Sequence, residues 1–350
     1  CSCASKNGIA TAGCGAFYLS RLHMITITGR PPRYFLLLCL GAAICWALLS
    51  VFLIPSYMVA ITHLPVTQSP DSRGQPFEDI TIRSNKVGLA GWWLPAPNPT
   101  AQLIFVHGAG SNRTSKFVGS LDFYRMLHDL GVSVVTMDLR NHGNSPITDA
   151  TIRMGATEWP DVIAAADWLK QNHPSQLPRY VLGASMGGSA AIHALHHGLQ
   201  ADGLILLDPQ LNIFDSLSRG AQVSTGLPAW IFSLATRIAI WRYGLPSGER
   251  KPLSMAVKLS LPILLIQDWD DPVTRSALAS SLQEINANVR LQRVPRIDKS
   301  APCLDNKGAW GTHVAALPCH PDWTRRTIRQ FIESIFPPSI RRSSERPVST

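Results

Sequence analysis

With 350 residues, 45% of them hydrophobic and only 16% charged, the chain can bury a full core as one large domain or two small ones. Its formal charge of +9 is scattered, with local excess before residue 34 and in the Arg341, Arg342 and Arg346 tail. No basic helix with interleaved aromatics accompanies that charge, which excludes nucleic acid as an expected partner and leaves a solvated surface or attraction to anionic lipid headgroups.

Residues 1–33 carry Cys1, Cys3 and Cys14 in a low-information stretch and are expected to be a disordered N-terminal segment, with Met24 a natural start. Tyr34 to Ile54 is an uncharged run rich in Leu, Ala and Phe, long enough to cross a bilayer as a helix. A buried core helix would show a polar face, and this run has none. A cleaved leader would have a shorter apolar stretch, although Met58-Val59-Ala60 could serve as a cleavage region. An uncleaved transmembrane helix over 34–54 is the expectation. No Asp or Glu precedes the run, whereas Lys6, Arg21, Arg30 and Arg33 do, and the next basic residue of this kind is Arg73. That asymmetry predicts a cytoplasmic N-terminus and an extracytoplasmic or lumenal main domain. Residues 55–76, with their Pro, Ser and Asp, are expected to be a linker.

From there the pattern alternates. Phe77–Ser84, Leu89–Leu94 and Gln102–Val106 read as strands, Val118–Leu130 as a helix, and Val132–Met137 as a continuous apolar strand buried on both faces. Thr157–Gln171 reads as an amphipathic helix, Tyr180–Leu182 as a strand, Gly188–Leu195 as a helix and Gly203–Leu207 as another buried strand. Residues 209–259 break the rhythm with one or two amphipathic helices. Strands at Pro262–Gln267 and Val289–Val294 flank a helix at Thr274–Asn286. Residues 296–320 are expected to be an irregular loop, Trp323–Ile335 a closing helix and 337–350 a disordered tail. Apolar strands alternating with such helices predict an α/β architecture, a mostly parallel sheet with helices on both faces over 77–336.

The chemistry concentrates at Gly183-Ala184-Ser185-Met186-Gly187, between an apolar strand and a helix. A nucleophilic serine on so sharp a turn needs small residues two positions before and after it, hence Gly183 and Gly187. Its hydroxyl needs a base, and the base an orienting carboxylate. On this kind of sheet they follow in the order Ser, acid, His. Asp271 stands just past an apolar strand, in Asp270-Asp271-Pro272-Val273, and points toward the same rim as the serine turn. Asp208, after the preceding strand, is the alternative acid. Beyond Asp271 only His313 and His320 remain; His313, in a loop before the last helix, is the favoured base, and His320 is read as capping that helix. The oxyanion donors are expected to be the backbone N–H groups of Met186, at a helix N-terminus, and of Ala109, in His107-Gly108-Ala109-Gly110. Asp138, Arg140 and His142 are read as loop braces. His193, His196 and His197 share one side of a helix but lack Cys or carboxylate neighbours at ligand spacing, so they read as a solvated face and no metal site is expected. Asn112-Arg113-Thr114 is a formal N-glycosylation sequon near the mouth of this site. Cys303 and Cys319 would pair in an oxidising compartment and stay free thiols in a reducing one.

Taken together, these motifs in this order resemble the α/β-hydrolase superfamily over about Phe77 to Phe336. Gly91-Trp92-Trp93-Leu94-Pro95-Ala96 is similar to the branch with an N-terminal membrane anchor, described as Bem46-like or serine-aminopeptidase-like hydrolases. The resemblance implies an eight-stranded sheet, a Ser185–His313–Asp271 triad without a cofactor, and a helical cap over the site formed by 209–259. His313 departs from the family pattern by standing nearly twenty residues after Val294, with Ile297–Trp310 inserted. If Cys303 and Cys319 pair, their bridge would hold that loop. The expectation is a membrane-anchored serine hydrolase cleaving a small acyl or lipid ester. A short-peptide or amide hydrolase and a non-catalytic binding protein on the same fold are the alternatives. A serine at this position argues against epoxide-hydrolase chemistry, which needs a carboxylate nucleophile.

Overall fold

In a computed structural model of the chain, residues 33–149 and 151–336 are described. The expectations for residues 1–32, including Cys1, Cys3, Cys14 and Met24, and for the 337–350 tail lie outside the described residues. The chain divides into two units, with the break between Ile44 and Cys45. Of the first unit, residues 33–44 are described: a helical segment with every side chain exposed. They belong to helix α1 (Arg33–Phe52), whose mean hydropathy reaches 2.5. Twenty helical residues rise about 30 Å, the thickness of a bilayer's hydrocarbon core. Nothing in α1 interrupts helix formation, and Pro55 occupies the first turn of the short α2 (Ile54–Met58) that follows.

The second unit is built on one eight-stranded sheet. Antiparallel β1 (Glu78–Ser84) and β2 (Val87–Leu94) form one edge. Then come β3 (Ala101–Val106), α3 (Ser120–Asp129), β4 (Val132–Met137), α4 (Trp159–Asn172), β5 (Arg179–Ala184), α5 (Met186–His196) and β6 (Gly203–Leu207). The strand order is β1-β2-β4-β3-β5-β6, continuing with β7 (Ile263–Gln267) and β8 (Val289–Arg293). β2 meets β4 antiparallel, and all later neighbours run parallel.

β3, β4 and β6 are buried end to end and β5 from Tyr180 onward, so their alternate side chains fill two separate cores. Ile104, Val106 and Val181 face one core with α4 and α5. Leu103, Phe105, Tyr180 and Leu182 face the other with α3 and the last helix, α11 (Pro321–Ile335). α9 (Ser276–Ile285) joins the first of these layers through Ala279 and Leu282.

Four local expectations are corrected. The 55–76 segment is not a free linker: it holds α2 and a 3-10 turn at Pro70–Arg73, Val59 is buried in the core, and Ala60 bridges to Thr151. The 209–259 insert contains two long helices, α6 (Ile213–Thr225) and α7 (Ser233–Tyr243), and also the short α8 (Pro252–Ala256). Residues 296–320 are not wholly irregular, holding two 3-10 turns and the short α10 (Ala316–Cys319), and Cys303 and Cys319 are joined by a disulfide. His320 occupies the cap position of α11, but its side chain makes no cap hydrogen bond.

The histidine row on α5 also differs from expectation. His196 and His197 are exposed, whereas His193 is buried, because α5 is covered by α4 and α8 on the side away from the sheet. His193 Nε2 has no hydrogen-bond partner, and burial, helped by the neighbouring His197, holds this imidazole down at about 4. A base lowered in the folded state contributes stability that is present above the ordinary value of 6.5 and lost as pH falls through about 4. Thermal unfolding in detergent should therefore show a smaller stability loss between pH 6.5 and pH 4 for His193→Met than for the parent chain; an identical loss would remove His193 from the acid response.

Candidate active site

Ser185 sits between the C-terminal end of β5 and the first residue of α5 with φ +52° and ψ −117°. An L-residue adopts such a conformation only when its surroundings impose it. Here the surroundings are backbone. A Cβ at Gly183 would overlap Gly187, and one at Gly187 would overlap the carbonyls of Val106 and His107. Ser185 N–H donates to the Leu207 carbonyl at 3.0 Å, and the Ser185 carbonyl accepts from Gly188 and Gln210. The turn is thus pinned to β6 and to the segment that follows it.

The loop after β3 lies against this serine. A Cβ on Gly108 would stand 3.3 Å from the Ser185 Cβ. Two buried imidazoles fix that loop. His107 Nε2 accepts from Leu139 N–H at 3.1 Å, and its Nδ1 donates to the Gly108 carbonyl at 2.8 Å. His142 Nε2 accepts from Gly110 N–H at 3.3 Å while its Nδ1 donates to the Arg140 carbonyl. Both roles need the neutral ring, and burial lowers both, His107 to about 3. Neither Ala109 nor Met186 donates its backbone N–H to any described residue, so both remain available beside Ser185.

Asp138, at the end of β4, supports the same loop. Its carboxylate accepts from Arg113 N–H, the Arg113 guanidinium at 2.7 Å, and Asn144 N–H. Burial raises this carboxyl even though Arg113 opposes the shift. Arg113 in turn stacks 4.4 Å over Trp92. Arg140 donates to Asp161 from Nε and Nη2. Removing one partner of a pair as buried as Arg113–Asp138 typically costs about 3–5 kcal/mol, so these residues act through structure. The sequon residue Asn112 is buried, and its Nδ2 already donates to the Leu64 and Pro65 carbonyls.

Asp271 lies in the loop after β7. Oδ1 accepts from Val273 and Thr274 N–H, and Oδ2 accepts from the Thr274 hydroxyl and from His313 Nδ1 at 2.7 Å. Burial pushes this carboxyl up, but the His313 and Thr274 contacts outweigh it and hold it below its ordinary value. His313 Nε2 lies 2.9 Å from Ser185 Oγ. With Asp271 ionised, Nδ1 carries the proton and Nε2 is the acceptor facing the hydroxyl. All three residues are buried, and each comes from a different loop at the same rim of the sheet.

Asp208, the alternative acid, makes a different set of contacts. Its Oδ1 accepts from Asp268 N–H at 2.7 Å and its Oδ2 from Val314 N–H at 2.8 Å. It thereby ties the Asp271 loop to the His313 loop and makes no hydrogen bond to the imidazole. Burial and the charge of Asp271 raise it well above its ordinary value. Asp208, Asp271 and His313 each have a donor atom within 4.8 Å of the others, a spacing that would suit a metal ion. Those oxygens already accept backbone and hydroxyl hydrogen bonds, and this hydrogen-bonded arrangement accounts for the cluster.

The long loop carrying His313 has two further anchors besides Asp208. One is the Cys303–Cys319 disulfide, closing a separation of 16 residues, for which the chain-entropy estimate is about 3 kcal/mol. The other is Lys307, which is buried, donates to the Phe117 carbonyl at 2.7 Å and lies over the Phe117 ring. Burial lowers this ammonium to about 8, opposed by Asp208 and Asp271. Lys307, Thr274 and Arg219, whose guanidinium donates to the Asp271 carbonyl, were not legible as parts of the site. Only Thr274, three residues after Asp271, had a local signal, the spacing of a side-chain-capped turn.

A family model described as serine aminopeptidase, S33, matches residues 97–247, which include Ser185 and the Gly108–Gly110 loop but not Asp271 or His313. The lysophosphatidylserine lipase ABHD12 of Macaca fascicularis is 27% identical over 235 residues, 62% of this chain. The matched region spans only 56% of that lipase. An uncharacterized Bacillus subtilis protein, YqkD, is 25% identical over 69% of this chain and 74% of its own. Among solved structures, the Pyrococcus furiosus esterase Pf2001 shares the fold with a TM-score of 0.61 at 21% identity, covering 79% of this chain and 97% of the esterase.

Replacing Asp208 by Ala should cost about 1–3 kcal/mol of stability, the range for lost buried hydrogen bonds. It should also loosen the His313–Asp271 pair, seen as loss of the downfield Nδ1 proton resonance. A resonance unchanged in Asp208→Ala would show that the two loops hold their register without it.

Proposed function

We propose that the chain is a serine hydrolase on the α/β-hydrolase fold that hydrolyses esters of hydrophobic acyl groups from a membrane-anchored position, with Ser185 as nucleophile, His313 as base and Asp271 as the carboxylate that orients it. The observation that carries this reading is the continuous relay from Asp271 Oδ2 through His313 to Ser185 Oγ, with spacings of 2.7 and 2.9 Å.

The steps follow from that geometry. His313 Nε2 takes the hydroxyl proton as Ser185 Oγ bonds to the acyl carbon. The carbonyl oxygen gathers negative charge and is met by the free N–H groups of Met186 and Ala109, the former at the positive end of α5. His313 hands its proton to the departing alkoxide as the carbon–oxygen bond breaks. Water then loses a proton to His313, attacks the acyl-enzyme, and releases the acid with the proton returned to Ser185. Asp271 stays ionised throughout and holds the imidazole in the productive tautomer. Every proton and bond is accounted for by these three side chains and water, so no cofactor is invoked.

The lipase name carried by a relative favours a lysophospholipid-type ester, while the aminopeptidase description of the matched family favours a short peptide or amide. α1, with its mean hydropathy of 2.5, supports a membrane anchor that would deliver an acyl substrate. The disulfide supports a catalytic domain on the oxidising side, in keeping with the charge asymmetry around α1.

A fluorophosphonate probe should label the parent protein and not Ser185→Ala; a folded chain that never labels would turn the reading toward a binding protein. His313→Ala should lose about 10³-fold or more in kcat and His320→Ala little, in line with loss of a triad base; the reverse ranking would reassign the base. A panel of p-nitrophenyl esters of rising chain length, run beside aminoacyl amides, should favour the longer esters, and a preference for the amides would select the peptidase alternative. Protease added to the cytoplasmic side of sealed vesicles should spare the catalytic domain.

A further inference from the structure

Exposed apolar side chains are unevenly distributed in this chain. Among the described residues, the large exposed hydrophobics lie in the segment from Tyr34 to Leu64 and in the insert, with Ile147 and Ile285 the two exceptions. In the insert they are Leu227, Trp230, Leu234 and Trp241, the two indoles 75% and 79% exposed. Leu234 and Trp241 stand seven residues apart on α7, two helical turns, so they share one face with the exposed Arg237 between them. Folding has buried the opposite face, Ala235, Thr236 and Ala239, against the body of the protein. No described residue covers the outer face.

Charge follows the same partition. Between Asp215 and Glu249 the chain carries Arg219, Arg237 and Arg242 and no carboxylate, and no carboxylate occurs between Tyr34 and Pro70. The two stretches are in contact. Trp46, in the last turns of α1, donates from its indole to the Ile231 carbonyl and packs edge-on against Phe232 at 5.9 Å. Arg242 donates to the Val51 carbonyl at 2.7 Å, and Tyr243 donates to the Ser56 hydroxyl at 2.8 Å. The insert is therefore fastened to the end of the apolar helix. The same insert reaches the site: Arg219 of α6 holds the Asp271 carbonyl.

An uncovered face of indoles and aliphatics, edged by arginines and free of carboxylates, matches the interfacial zone of a bilayer, where amphipathic rings and basic groups settle beside anionic headgroups. We propose that the outer face of the insert, Leu227, Trp230, Leu234 and Trp241 with Arg237, rests on the anionic lipid surface that α1 enters. This rests on the reading of α1 as a membrane anchor. A lipid surface, and not a protein partner, is the occupant because the insert is hydrogen-bonded to residues 46, 51 and 56 at the end of the apolar helix and its charge is of one sign. Docked there, the insert would face the lipid with α7 while α6 holds the Asp271 loop through Arg219.

The test uses the full chain with the five cysteines outside the disulfide replaced by serine. Single cysteines are introduced as Trp230→Cys, Trp241→Cys or, as a control on an exposed position, Gln171→Cys, and labelled with the environment-sensitive dye NBD. The proteins are reconstituted into vesicles of phosphatidylcholine with or without phosphatidylglycerol, and carbonate extraction is run on each. The expected result is a carbonate-resistant protein whose emission at 230 and 241, but not 171, shifts to the blue and is quenched by spin-labelled lipid. The shift should be larger with phosphatidylglycerol and shrink in Arg237→Glu. A carbonate-resistant protein with water-like emission at both positions overturns the lipid-facing patch and leaves the anchor standing, and would point to a protein partner. Release by carbonate overturns the anchor and the patch together.

Discussion

Everything at the site depends on one steric constraint, the near-contact of two backbones at Ser185. α5 can begin directly against β5 only because Gly183 has no side chain, and can lie against the end of β3 only because Gly187 has none; this crowding holds Ser185 at positive φ. Three consequences follow from the same turn. The hydroxyl is lifted to the rim of the sheet, the first N–H of α5 is left without an acceptor, and the loop carrying Gly108 is brought against the serine. The strain, of the order of 1–3 kcal/mol for such a backbone, is held by β3 and β6 on either side of β5, which are buried along their whole length.

The rim is then assembled by carboxylates used in different ways. Asp208 accepts from two backbone N–H groups and Asp138 from backbone N–H groups and the Arg113 guanidinium, and both hold loops; Asp271 divides its oxygens between its own turn and an imidazole. Burial raises the first two, whereas contact with His313 and Thr274 lowers the third. Three aspartates beyond the ends of three parallel strands, β4, β6 and β7, thus have distinct electrostatic states, set by what each oxygen faces.

Much of this was legible in the sequence because parallel strands buried on both faces must be continuous apolar runs. β4 and β6 begin and end where the hydropathy does. The turn at Ser185 was legible because sterics allow so few residues there. Other features were hidden for equally physical reasons. The role of Asp208 consists of accepting two distant backbone N–H groups, which leave no trace in side-chain identity. His193 is buried because α8 returns from the insert to cover α5, a long-range event that helical spacing cannot report. The packing of residues 55–76 depends on Val59 entering the core and on Asn112 reaching the Leu64 and Pro65 carbonyls, although their Pro-rich composition looks like a linker.

The reach of the His313 contact along the chain has a consequence for when the site exists at all. Ser185 and His313 are 128 residues apart, and the loop bearing His313 is the last piece of chain before the closing helix. During synthesis the serine turn, the Gly108 loop and most of the sheet emerge well before the imidazole that faces Ser185. The loop bearing His313 lies between β8, which pairs with β7, and α11, which packs on the second core. The contact between Ser185 and His313 therefore joins an early part of the chain to a late one, and it is a long-range contact of the kind that forms slowly.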